Sequence, residues 1–188
     1  MALTFDDGPH ARGTPATLEL LASAGVRATF FLVGEQVRAR PALVGEILAA
    51  GHDVGVHCDR HRNLLRVGPR GTFEDLARAV DAIGSAGGAT PRLHRPPYGV
   101  LNGSVLVAAR ARGWRTWLWT RWGRDWRPRV RPAEIAARAA DGLAGGDVVL
   151  LHDADFYAAA ESWRRMLGAL PAILERAADA GLVWKGLN

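Results

Sequence analysis

The sequence predicts an α/β fold: a parallel sheet curled into a small, incomplete (β/α) barrel within a single domain. Three observations predict it. Short apolar runs alternate along the chain with amphipathic stretches of helical period, the signature of βα units joined by crossover helices. The 188 residues hold about six or seven such units, short of the eightfold barrel that usually takes about 250 residues. No internal repeat, low-complexity tract or linker divides the chain.

The elements follow in order. Leu3, Thr4 and Phe5 form a short first strand, and residues 14–24 a helix with Leu18 and Leu21 on one face. Residues 28–33 read as a buried strand. Residues 41–50 read as a helix, with Pro41 suited to its first turn. Residues 52–57 are strand-like. Thr72 to Asp75 resembles a capping box, opening a helix whose apolar face is Phe73, Leu76, Val80 and Ile83. A short segment at 92–95 is bounded by prolines. Then come a helix at 105–112, strand character at 114–119 and a helix at 132–143. Residues 147–152 form a β-branched strand, and 161–178 a long helix with Trp163, Met166, Leu167, Leu170 and Leu174 on one side. Residues 182–184 read as a last strand.

Composition excludes several classes. The chain is 48% hydrophobic and 23% charged, the balance of a soluble globular protein rather than a disordered or collagen-like one. No apolar run reaches the roughly 18–20 residues of a membrane span. The N-terminus lacks a basic region followed by an apolar run, so the chain as given reads as cytoplasmic. It reads as secreted or wall-associated if an upstream segment has been removed. The single cysteine, Cys58, cannot form an internal disulfide. The net charge of +5 rests on 24 basic residues, all arginine except Lys185. That excess fits base composition, or an anionic partner if Arg60, Arg62, Arg66, Arg70 and Arg121, Arg124, Arg127, Arg129, Arg131 rim one mouth. No nucleic-acid motif accompanies it.

In parallel α/β folds the chemistry gathers at the C-terminal ends of strands. Here five predicted strand ends carry ionisable or metal-binding residues: Asp6 and Asp7, His57 and His61, Arg95, Asp125, and His152. Asp6-Asp7 is either a turn, since Asp-Gly-Pro is good turn chemistry, or a functional pair. His57 and His61, spaced i, i+4, suit bidentate metal capture. With Asp7 they make a three-ligand site with positions left for water, the pattern of catalytic zinc. Cys58 between them reads as a small buried residue. Pro96 and Pro97 after Arg95 leave the Tyr98 and Gly99 amides to face a ligand. His152, next to Asp153 at the end of an apolar strand, is a candidate general acid.

These residues resemble the polysaccharide deacetylases of carbohydrate esterase family 4, the NodB-homology domain, over nearly the whole chain, 1–188. The resemblance rests on five ordered motifs: Thr4-Phe5-Asp6-Asp7-Gly8-Pro9, Gly51 to His57 with His61, Arg95-Pro96-Pro97-Tyr98, Asp125-Trp126, and Leu150-Leu151-His152. The strand Ala28 to Gly34 also matches. The resemblance implies a distorted (β/α)7 barrel and metal-dependent deacetylation. It implies Asp6 as general base oriented by Arg95, and Asp7, His57 and His61 as ligands of a divalent metal. Zinc is expected first, with cobalt, nickel or manganese as substitutes. It implies His152 as general acid with Asp125 setting its charge, the Tyr98 amide in the oxyanion site, and Trp126 and Leu150 around the acetyl methyl. Two positions depart from the family pattern: Cys58 stands where Ser or Thr is usual, and Trp122 where an acid is usual. Trp122 and Trp126 together offer a stacking platform for a sugar ring.

The expected activity is removal of an acetyl group from an N-acetylated amino sugar or glycan. The alternatives are an O-acetyl esterase on xylan-like glycans, an amide deacetylase on a small-molecule metabolite, and a non-enzymatic carbohydrate- or nucleic-acid-binding module. A complete catalytic set argues against a pure binder. No nucleic-acid partner is expected.

Overall fold

The computed structural model describes residues 1–87 and 90–187. Seven strands form one parallel sheet in the order β5-β4-β3-β2-β1-β7-β6. They are β1 (Ala2–Asp6), β2 (Thr29–Val33), β3 (Asp53–Cys58), β4 (Leu93–His94), β5 (Arg115–Thr116), β6 (Arg121–Trp122) and β7 (Val148–His152). The helices are α1 (Gly13–Ser23), α2 (Gly34–Ala39), α3 (Ala42–Ala49), α4 (Pro69–Gly87), α5 (Gly103–Ala111), α6 (Pro132–Ala140) and α7 (Ser162–Asp179). Among the described residues no ladder joins β5 to β6, so the sheet curls without closing. The expected incomplete seven-stranded barrel is what forms.

The period-2 alternation of the strands decides which side chains meet. Leu3 and Phe5 of β1, Phe30 and Leu32 of β2, Val54 and Val56 of β3, and Val149 and Leu151 of β7 join the core between sheet and helices. The alternate positions face the concave side. There Ala2, Phe31, Leu93, Val148 and Leu187 form a smaller apolar plug. Above it, toward the strand ends, the concave positions become polar: Thr4 and Asp6 on β1, and His152 on β7. Asp6 lies in register with His152 across the β1–β7 ladder. A register shift between β2 and β3 adds one residue to β3. Leu32 pairs with Val56 and Val33 with Cys58, so His57 is the bulged residue. Bulges re-aim side chains at sheet ends, and this one falls on a histidine of the candidate site.

Several expectations need correction. Residues 182–184 form no strand, although Trp184 does pack against the core. The seventh strand is instead β6, a two-residue piece between Thr120 and Gly123 that is too short to show a pattern. Strand character at 114–119 contracts to Arg115–Thr116. The capping box at Thr72 does not open α4. The helix begins at Pro69, Thr72 is buried inside its first turns, and Glu74 reaches back to Arg70 at 2.8 Å. Phe73, placed on the apolar face by spacing, is exposed.

Candidate active site

The ends of β1, β3, β6 and β7 and the loops after β3, β4, β5, β6 and β7 enclose a cavity of about 210 Å³. Its lining includes Asp6, Asp7, His57, His61, Tyr98, Trp126, Leu150 and His152. Eight of the predicted site residues therefore come together. The other two, Arg95 and Asp125, lie directly behind it, both fully buried.

Asp7, at φ 76, turns the chain out of β1, so that two adjacent carboxylates face one space. One atom each of Asp7, His57 and His61 lies within 4.8 Å of the others. Asp7 Oδ1 is 3.5 Å from His57 Nε2 and 3.3 Å from His61 Nε2. His57 places Nδ1 2.7 Å from the Arg95 carbonyl, which can only accept, so Nδ1 carries the proton and Nε2 presents a lone pair to Asp7. Burial pushes both histidines down to about 3, keeping them neutral, and pushes Asp7 up to about 7. Asp7 Oδ1 is buried without a hydrogen-bond partner among the described residues. A lone pair facing an unpartnered buried carboxylate oxygen repels it unless a cation lies between them. The donor set, two imidazoles and one carboxylate, fits a divalent ion of the zinc class. Cys58 is buried and outside this group.

A proton on Asp7 competes with such an ion. Apparent metal affinity is thus expected to fall as pH drops through about 7, by about tenfold per unit below it. Competition titration with a chromophoric chelator checks this, and a flat profile across that range would sink it.

Arg95 spends its whole fork on the first strand and the segment after β5. Nη1 donates to Asp6 Oδ1 at 2.8 Å and to Thr4 Oγ1 at 2.7 Å, Nε to the Trp117 carbonyl and Nη2 to the Leu118 carbonyl at 3.1 Å each. Its guanidinium lies over the Phe31 ring, 4.2 Å from the centroid. Two backbone carbonyls thus complete the Arg95 fork without an acid at Trp122. Trp122 instead joins Trp119 and Trp126 in a row, with centroids 5.9 and 5.2 Å apart, that walls the cavity.

His152 Nδ1 bonds Asp125 Oδ1 at 3.0 Å, and its backbone N–H donates to Asp125 Oδ2 at 2.7 Å. Burial opposes a charge on His152. The charge and hydrogen bond of Asp125, then Asp7 and Asp6, outweigh it and hold the imidazolium up to about 10. The carboxylate tuning His152 is thus Asp125. The sequence neighbour Asp153 points away, toward the Thr14 hydroxyl. Tyr98 takes φ 58 in the 3₁₀ turn after Pro96. Of the two amides proposed to face a ligand, that of Gly99 is committed to the Pro96 carbonyl at 3.0 Å. The N–H of Tyr98 remains as the candidate donor.

Among the described residues no arginine lines the cavity. Arg121 is tied to Asp147, Arg62 to Asp75 and Arg70 to Glu74. Arg124 lies over the ring of the cavity-lining Trp122, 4.7 Å from its centroid. Sequence reasoning also missed two cavity residues. Trp119 closes over Gly99, and Tyr157 stacks on His61. Neither sits in a motif.

Comparison with known proteins is consistent with this geometry. The family model described as Polysaccharide deacetylase matches residues 1–117. A chitooligosaccharide deacetylase of a Bradyrhizobium species is 38% identical over 153 residues, 80% of this chain and 69% of that protein. A peptidoglycan-N-acetylglucosamine deacetylase of Bacillus cereus is 34% identical over 155 residues, 81% of this chain and 72% of that protein. Among solved structures, a family 4 carbohydrate esterase from Streptomyces lividans in complex with acetate superposes with a TM-score of 0.88 at 31% identity. It covers 100% of this chain and 92% of that one. A family 4 acetyl xylan esterase from Clostridium thermocellum, in complex with a cobalt ion, gives a TM-score of 0.88 at 26% identity, covering 99% and 87%.

Proposed function

Because the chain belongs to the polysaccharide deacetylase family, we propose that it hydrolyses the acetamide of an N-acetylated amino sugar within a glycan, with residues 1–188 as the catalytic domain. The observation that carries this is the meeting of two charged pairs, Asp6–Arg95 and His152–Asp125, with the Asp7, His57 and His61 group in one small cavity.

Asp7, His57 and His61 would hold a divalent ion, zinc or in its place cobalt, nickel or manganese, which would supply Lewis-acid charge to the reacting groups. The remaining steps belong to the chain. Arg95 fixes Asp6 through Oδ1, leaving Oδ2 on the cavity side, 3.9 Å from His57 Nε2, to accept the water's proton. The backbone N–H of Tyr98 donates to the oxygen that gains charge in the tetrahedral state. His152, protonated through Asp125, delivers its Nε2 proton to the leaving nitrogen. Trp126 and Leu150 pack around the acetyl methyl. The tryptophan row beside them offers a flat face for a sugar ring.

The proton on His152 gives a signed prediction. Activity requires the acid form, so it falls as pH rises through that group's titration. Asp125→Asn removes the charge that raises it and is expected to move the alkaline limb of the pH–rate profile to lower pH. An unmoved limb would remove His152 from the acid role.

The similarity to an acetyl xylan esterase favours a second reading, cleavage of O-acetyl esters by the same site. Acetate release from matched N-acetyl and O-acetyl oligosaccharides separates the two. Release from chitin-type or peptidoglycan-type fragments supports the first, and release from acetylated xylan alone replaces it with the second.

A further inference from the structure

The two histidines beside Asp7 are held in different ways. His57 donates from Nδ1 to a backbone carbonyl, the usual device by which an outer group fixes a ligating imidazole. His61 lacks that device. Its Nδ1 is buried and, among the described residues, meets no partner beyond its own backbone. Two aromatic rings hold it instead. Tyr157 lies face to face with it, centroids 4.5 Å apart and planes 13° from parallel. Tyr98 meets it edge-on at 4.6 Å and 70°.

Of these two, Tyr98 is 58% exposed, whereas Tyr157 is anchored. The Tyr157 hydroxyl donates to Glu35 Oε1 at 2.5 Å and accepts from Gln36 Nε2 at 3.2 Å, both in the first turn of α2. A continuous line of contact runs from that helix through the tyrosine to the imidazole plane. We propose that Tyr157 is the positioning residue for His61, its anchored ring doing by stacking what a hydrogen bond does for His57. The proposal rests on the reading of His61 as a metal ligand.

The physical basis is complementary. An imidazole that gives its lone pair to a cation becomes electron-poor. A tyrosine whose hydroxyl is bound to a carboxylate presents an electron-rich face, so the stack strengthens when the ligand is engaged. Fixing the ring plane beforehand also spares the rotamer entropy that a free histidine would lose on ligation.

The test is zinc affinity, measured by chelator competition on purified full-length protein, for wild type, Tyr157→Phe, Tyr157→Leu and His61→Ala, with thermal unfolding as the fold control. Phenylalanine keeps the flat ring, whereas leucine fills the space without one. Tyr157→Leu is expected to weaken zinc about 10–100-fold, the usual loss when an outer-shell partner is removed, and Tyr157→Phe, which keeps the ring but loses its tie to Glu35 and Gln36, by an intermediate factor. The visible spectrum of the cobalt-loaded protein should change more in the leucine variant than in the phenylalanine one. A purely space-filling role predicts equal affinities for the two variants. Wild-type affinity in Tyr157→Leu, together with lost binding in His61→Ala, would overturn the positioning role alone. Undiminished binding in His61→Ala would overturn the ligand reading and the proposal with it.

Discussion

Asp6→Asn is expected to lower kcat by about 10²–10⁴-fold with KM and bound metal close to wild type, and to lower thermal stability because the buried Arg95 guanidinium loses its counter-ion. The substitution is nearly isosteric. An asparagine carbonyl can still accept from Arg95 Nη1, as Oδ1 does now at 2.8 Å, so the buried contact survives. What is lost is the charge and the second oxygen, the group able to take a proton from water in the cavity. Asp7, although adjacent, cannot substitute, because its oxygens belong to the group with His57 and His61. A variant with full metal and less than a tenfold loss would remove Asp6 from the base role. A variant that lost metal as well would show that the two aspartates act as one unit.

Arg95→Met is expected to cost about 3–5 kcal/mol of folding stability and to abolish turnover. The guanidinium is fully buried and satisfies four groups at once: Asp6, Thr4 and the carbonyls of Trp117 and Leu118. Methionine keeps much of the volume but leaves Asp6 Oδ1 and two backbone carbonyls without their buried donor. Arg95→Lys should recover little, because an ammonium cannot reproduce a planar fork spread over acceptors from two segments. Urea denaturation of the two variants measures the loss. A cost below about 1 kcal/mol would mean that the Arg95–Asp6 pair is not the buried element described.

Much of the site was legible in the sequence because catalysis needs residue types that rarely end apolar strands by chance. Asp6, His57 and His152 each close a run whose alternation already decides which face they take. The positions that depended on three-dimensional compensation were not legible. The support of Arg95 is one of them. The carbonyls of Trp117 and Leu118 supply that support, and a carbonyl carries no side-chain signature. Tyr157 belongs to no motif, and its role comes from the packing of the segment after β7 against α2. In the fold, β6 escaped notice because two residues cannot display a period, whereas residues 182–184 displayed apolar character for core packing rather than for a ladder. The capping-box pattern at Thr72 was outcompeted by a start at Pro69, one turn earlier, where proline is well suited. The placement of the arginine excess was not legible either: of the two clusters, Arg62, Arg70, Arg121 and Arg131 pair with Asp75, Glu74, Asp147 and Glu134.

Under the proposed function, acetyl removal in this cavity depends on a divalent ion held by Asp7, His57 and His61. It is tested by acetate release from an N-acetylglucosamine oligomer by the protein after chelation and dialysis, then after return of zinc or cobalt. Loss of release on chelation, recovery on adding back the ion, and no recovery in His57→Ala are expected. Undiminished release from the chelated, metal-free protein would contradict it.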